Sequence, residues 1–215
     1  MLINMLSDTQ KKHFIDLADL LIIANLPLLW DGKPSDEITS STDLSALSLK
    51  AGKHEFELIA ELENYTGKVR NQGSMLGTAH GSSLPEIMLR KRLKPTAQES
   101  IPSLNTAIVD KLVNALKAYP FMKLEQPEVR TQAASSVLSD LLEDKTYDLP
   151  ATPKIILFEL LLVALRDGSI SDIKLTLLKK IQIHHGIEDF IFDDLLERAE
   201  ITNQETSKTI SMILE

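Results

Sequence analysis

The sequence predicts an all-α fold, a compact helical bundle with two pseudo-repeated halves, built as a single domain over residues 1–215. Three observations carry that expectation. Apolar residues return every three or four positions along most of the chain, which is the spacing of one helix face. Serine, threonine and proline stand where those stripes begin, as helix-start signals. No stretch alternates with a two-residue period over enough length to demand a strand.

Ser7 and Gln10 have the spacing of a capping box, and Phe14, Leu17, Leu21 and Ala24 then share one face. A polar stretch from Asp31 to Leu49 leads to a helix at Lys53 to Tyr65 with Phe56, Ile59 and Leu62 as its stripe, ended by Gly67. Gly67, Gly73, Gly77 and Gly81 mark a loop, followed by a short basic helix near Pro85 to Leu93 and a second loop with Pro95 and Pro102. The span 67–102 therefore reads as a Gly-rich, basic insert. Leu104, Ile108, Leu112, Leu116 and Tyr119 define the next helix, and Val129, Ala133, Val137 and Leu141 another, with Pro127 in its first turn. Thr152 and Pro153 open an apolar helix through Leu165, and Ser171 opens one that stops at Gly186. Ile191, Leu195, Leu196 and Ala199 line a further helix. Thr202 and Glu205 repeat the capping-box spacing and predict a separate last one.

Composition excludes several chemistries. The chain has no cysteine, so disulfides, thiolate metal sites and cysteine nucleophiles are absent. Residues Gly73-Ser74-Met75-Leu76-Gly77 hold their serine at the wrong position for a nucleophile elbow. No glycine loop ends as a phosphate-binding loop does, and no pair of histidines has metalloprotease spacing. The expectation is a non-catalytic protein. Met1 to Leu6 lacks the features of a signal peptide. Ile155 to Leu165 is interrupted by Glu159 and falls short of the ~20 apolar residues of a membrane span, so no transmembrane segment and a cytoplasmic location are expected.

Lys plus Arg number 23 against 31 Asp plus Glu, a net charge of −8, which repels nucleic acid and anionic lipid and suits cations or basic protein partners. The insert departs from that average, with Lys68, Arg70, Arg90, Lys91, Arg92 and Lys94 against Glu86 between Thr66 and Gln98. An alternative function is therefore binding of an anionic ligand, nucleic acid or a membrane surface through the insert. Nucleic acid is disfavoured by the lack of interleaved aromatics, whereas peripheral membrane contact stays open.

A repeat is visible as well. Leu17, Leu20, Leu21 and Ala24 recur with identical spacing as Leu157, Leu160, Leu161 and Ala164, with Asp19 answered by Glu159. Similar hexads follow, Asp31-Gly32-Lys33-Pro34-Ser35-Asp36 and Asp167-Gly168-Ser169-Ile170-Ser171-Asp172. The run Leu160 to Glu200, with its Asp167-Gly168 turn, Ile170, a helix ending at Gly186 and Phe190 to Leu196, resembles the tellurite-resistance TerB-like family. The resemblance implies a helical bundle of two pseudo-symmetric halves and a stress-response or regulatory interaction role. It also implies a divalent cation, Ca²⁺ or Mg²⁺ rather than Zn²⁺, held by acidic turns. By position the candidate metal ligands are Asp31, Asp36 and Glu37 in the first copy and Asp167 and Asp172 in the second. Arg166 departs from the usual alanine, and Lys174 stands where the family commonly has glutamate.

The same hexads have a purely local explanation. Asp-Gly forms turns, Ser35 or Ser171 is a natural N-cap, and Asp36 or Asp172 in a first turn favours the helix dipole. An EF-hand is excluded, because counting from Asp167 puts Asp172 at the glycine position and Leu178 at the bidentate-glutamate position. His184 and His185 precede Gly186, where a histidine complements a helix C-terminus, and adjacent helical residues diverge too far to chelate one ion together. No role is expected for His13, His54 or His80.

Overall fold

The computed structural model describes residues 2–65 and 105–214. The insert and its basic helix lie outside the described residues. Helices dominate, in the order α1 (Asp8–Ile23), α2 (Lys53–Tyr65), α3 (Thr106–Lys117), α4 (Pro127–Leu142), α5 (Ala151–Ala164), α6 (Asp172–His184) and α7 (Asp189–Leu214). Between α1 and α2, strand β1 (Leu28–Trp30) pairs antiparallel with β2 (Leu47–Leu49), Leu28 opposite Leu49 and Trp30 opposite Leu47. The sequence pattern did not call for this ribbon. Three-residue strands are too short to show an alternation, and their pairing is nonlocal.

α1 and α5 form the centre. α1 packs on α3, α4 and α5, and α5 on α1, α6 and α7. Helices covered from several sides lose the narrow apolar stripe and become apolar around most of their circumference, as Phe14 to Ala24 and Ile155 to Leu165 are. The repeated Leu17, Leu20, Leu21, Ala24 and Leu157, Leu160, Leu161, Ala164 are all buried. The repeat is therefore the pattern of two core helices in contact.

Local signals place the ends of these helices. Ser7 accepts from the Gln10 N–H while the Gln10 side chain accepts from the Ser7 N–H, a complete capping box on α1. Ser7→Ala should lower stability by about 1 kcal/mol in urea unfolding, with the helical spectrum retained at the start of the titration. Pro127 opens α4, and Ser171 caps α6 by accepting from the Lys174 N–H. At the C-terminus of α1, the buried Arg130 of α4 donates from one guanidinium nitrogen to the carbonyls of Ala24 (2.8 Å) and Leu26 (2.7 Å). A cation there satisfies carbonyls that the helix cannot and complements its dipole.

Two further expectations need correction. Thr202 does not start a helix, since α7 runs unbroken through it and the Thr202 hydroxyl donates back to the Arg198 carbonyl at 2.8 Å. No glycine or proline interrupts the segment, so the capping-box spacing has no break to cap. In the first hexad Ser35–Glu37 forms only a single 3₁₀ turn with no side-chain cap, unlike the α-helix that follows the second.

Candidate functional site

The two Asp-Gly pairs do different work. Asp31 and Gly32 both have positive φ, 51° and 76°, and are bracketed by reciprocal backbone bonds between Trp30 and Lys33 of 2.8 and 3.0 Å. That is the geometry of a type I′ hairpin turn, for which Asp-Gly is a favoured sequence. Asp167 instead lies in the 3₁₀ turn after α5, and Gly168 caps it with φ 86°. Only glycine enters that left-handed region without strain.

The five candidate ligands do not gather. Asp31, Asp36, Glu37, Asp167 and Asp172 are all exposed, and among the described residues no group of three or more histidine or acidic side chains is arranged to hold a metal ion. Asp167 meets side-chain nitrogens instead. Its Oδ2 accepts from Lys174 Nζ at 2.8 Å and its Oδ1 lies 2.9 Å from His54 Nε2. Partial burial pushes the Asp167 carboxyl up, but the Lys174 ammonium and His54 outweigh it and hold the group below its ordinary value. Lys174, whose position makes it a departure from the family pattern, is buried and supplies the positive charge at this turn. A second pair, Arg166 with Glu61, lies beside it, so α2 is tied to the turn at two points. Asp167→Asn should lower stability by about 1 kcal/mol at low salt and by less at high salt, as half-exposed ion pairs do.

A cluster invisible in the sequence lies at the other end of α5. His13 of α1, Tyr147 before α5 and His185 after α6 form a chain of rings, with centroids 6.2 Å apart for His13 and Tyr147 and 5.1 Å for Tyr147 and His185. His13 Nε2, Tyr147 Oη and His185 Nε2 are buried without a hydrogen-bond partner among the described residues. Burial, then Lys145 and the neighbouring imidazoles, pull His13 down to about 4. Burial and His184 bring His185 to about 4, and burial pushes the Tyr147 phenol up to about 12. Both histidines are therefore neutral at pH 7. No sequence signal links these residues, because they are brought together only by the packing of three segments.

Among the described residues, α7 carries more exposed large apolar side chains than any other element. Its first half docks through Phe192, Leu195, Leu196 and Ala199, and Asn203 Nδ2 donates to the Leu165 carbonyl at 3.1 Å. Beyond Asn203 every described residue of the helix is exposed, including Ile210 at 52%, Met212 and Ile213 at 76% and Leu214 at 81%. Comparison with protein-family models, with curated proteins and with solved structures gives no match. No helix among the described residues is long and apolar enough to cross a membrane.

Proposed function

We propose that this chain is a non-catalytic interaction module, of the stress-response or regulatory kind that the TerB-like resemblance implies, and that the projecting half of α7 is its contact surface. One observation supports this most directly: the stripe that docks α7 on the bundle does not stop where the bundle stops. Phe192, Leu195, Ala199, Asn203, Thr206, Ile210 and Ile213 follow one another at intervals of three or four residues, the spacing of one helix face. Its outer part continues an existing helix–helix interface with nothing from the described residues laid over it.

The occupant that fits is an amphipathic helix of another protein. Helix pairs bury such stripes along their length, and the charged side chains of α7 beyond Asn203, Glu205 and Lys208, pair with each other at 2.8 Å. Cation binding at the acidic turns draws less support, because Lys174 already pairs with one oxygen of Asp167 and His54 contacts the other.

Photo-crosslinking from position 213 tests the proposal, with the likewise exposed but polar position 180 as control. A discrete heterologous adduct from 213 alone, lost when Ile210→Glu is added while the melting temperature is unchanged, is expected. An adduct of two copies of this chain, or equal labelling from both positions, would overturn it. Ca²⁺ or Mg²⁺ added to metal-stripped protein should leave the unfolding midpoint in place. A rise abolished by Asp31→Asn/Asp167→Asn would return function to the acidic turns, since a ligand at ~100 times its Kd stabilises by about 2.7 kcal/mol.

A further inference from the structure

Where the start of α5, the end of α6 and the start of α7 meet, the surface opens into a cavity of about 640 Å³. Its lining is unlike the rest of this acidic chain. Lys145, Lys154 and His184 border it, and Glu188 is the one carboxylate among the described residues that line it. Neither Lys145 nor Lys154 makes an ion pair among the described residues. α5 begins here on Pro150 with no side-chain cap and no acidic residue in its first turn, so the positive end of its dipole is uncompensated. Leu149, Pro153, Ile187 and Ile191 supply an apolar wall, with Leu149 66% exposed. Tyr147 and His185 also line the cavity, and the buried Tyr147 hydroxyl and His185 Nε2 find no hydrogen-bond partner among the described residues.

We infer that this cavity binds a small organic anion, with a carboxylate or phosphate head against Lys145, Lys154 and the α5 N-terminus and an apolar body along Leu149, Ile187 and Ile191. The combination of charge and wall decides the class. Two unpaired ammonium groups and a helix N-terminus favour negative charge, whereas an apolar wall adds affinity only for a ligand with carbon to bury. Glu188 in the lining disfavours a ligand with more than one separated negative charge. The site does not rest on the α7 contact surface proposed above. The two lie at opposite ends of a 26-residue helix, about 39 Å long.

Amide NMR titration of the full chain at constant ionic strength tests it, with phenyl phosphate, hexanoate and inorganic phosphate as separate probes. Phenyl phosphate, hexanoate or both should give saturable shifts centred on Ala151, Lys154, His185 and Ile187, and bind more tightly than inorganic phosphate. Lys145→Gln/Lys154→Gln should weaken binding about tenfold or more by removing charge-assisted contacts, with the melting temperature unchanged because both side chains are exposed and unpaired. Absence of saturable shifts with both organic anions would overturn the proposal. So would undiminished binding by the double variant, or inorganic phosphate binding as tightly as phenyl phosphate. None of these outcomes bears on crosslinking from position 213.

Discussion

Arg130→Met should destabilise the chain by about 3 kcal/mol, the cost of removing a charged partner from buried acceptors. The aliphatic part of the side chain is conserved, so the loss isolates the guanidinium. What disappears are the two bonds to the Ala24 and Leu26 carbonyls, at residues only 1% and 5% exposed. Water has little access to replace them. Burial lowers the Arg130 pKa, opposed by the nearby Glu125, yet a guanidinium stays charged throughout the accessible range. Urea unfolding at pH 7 reads the effect directly, and Arg130→Lys should recover only part of it, since the lysine side chain is one bond shorter and holds its ammonium short of the nitrogen that reaches both carbonyls. A loss below about 1 kcal/mol would mean that the end of α1 relaxes to find other partners.

Acid should weaken the fold earlier than carboxylate titration alone would. His13 is held at about 4 in the folded chain against 6.5 when unfolded. Its folded pKa is depressed, so between those values the unfolded chain takes up a proton that the folded chain refuses. Stability is complete above pH 6.5 and is lost as pH falls toward 4. A shift of that size corresponds to about 3 kcal/mol for His13, and His185, brought to about 4, adds in the same direction. The groups facing these rings are Lys145, His184 and Tyr147, none of which offers an imidazolium a counter-charge. Glu159 acts oppositely. Its burial raises its pKa against the opposing N–H groups of Leu2 and Ile3, so the folded state gains from its protonation as pH falls. Comparing wild type with His13→Gln/His185→Gln separates the two, since only the histidine contribution vanishes. Urea midpoints at pH 7.5 and 4.5 should differ less in the variant. An unchanged difference would assign the acid response to carboxylates.

The parts of the fold legible in the sequence are those set by neighbours along the chain. Ser7 with Gln10, Pro127, Ser171 and the stripe of Lys53 to Tyr65 each act within a turn or two, and their helices begin or run as expected. The β1–β2 ribbon depends on Leu28 meeting Leu49 across a long loop, and neither three-residue strand announces itself. Thr202 and Glu205 misled because a capping box has meaning only where a helix starts, and nothing in their own spacing says whether one is already under way.

The candidate site divides similarly. Asp31 and Asp167 could be recognised as turn residues from the following glycine, but which turn each makes depends on whether a strand or a helix precedes it. That Lys174 and His54 would hold Asp167 depends on α2 crossing the end of α5. The rings of His13, Tyr147 and His185 lie on segments far apart in sequence, and only the packed bundle joins them.

The unbroken passage of α7 through Thr202 sets a phase as well as a length. Because no hinge separates Asn203 from Ile210, the outer apolar stripe keeps a fixed compass bearing relative to the bundle. One residue inserted between them would swing Ile210 and Ile213 by about 100° around the axis, whereas seven would bring them back to nearly the original side. The bundle thus acts as the handle of a key, and whatever meets the far end of α7 is presented with one orientation.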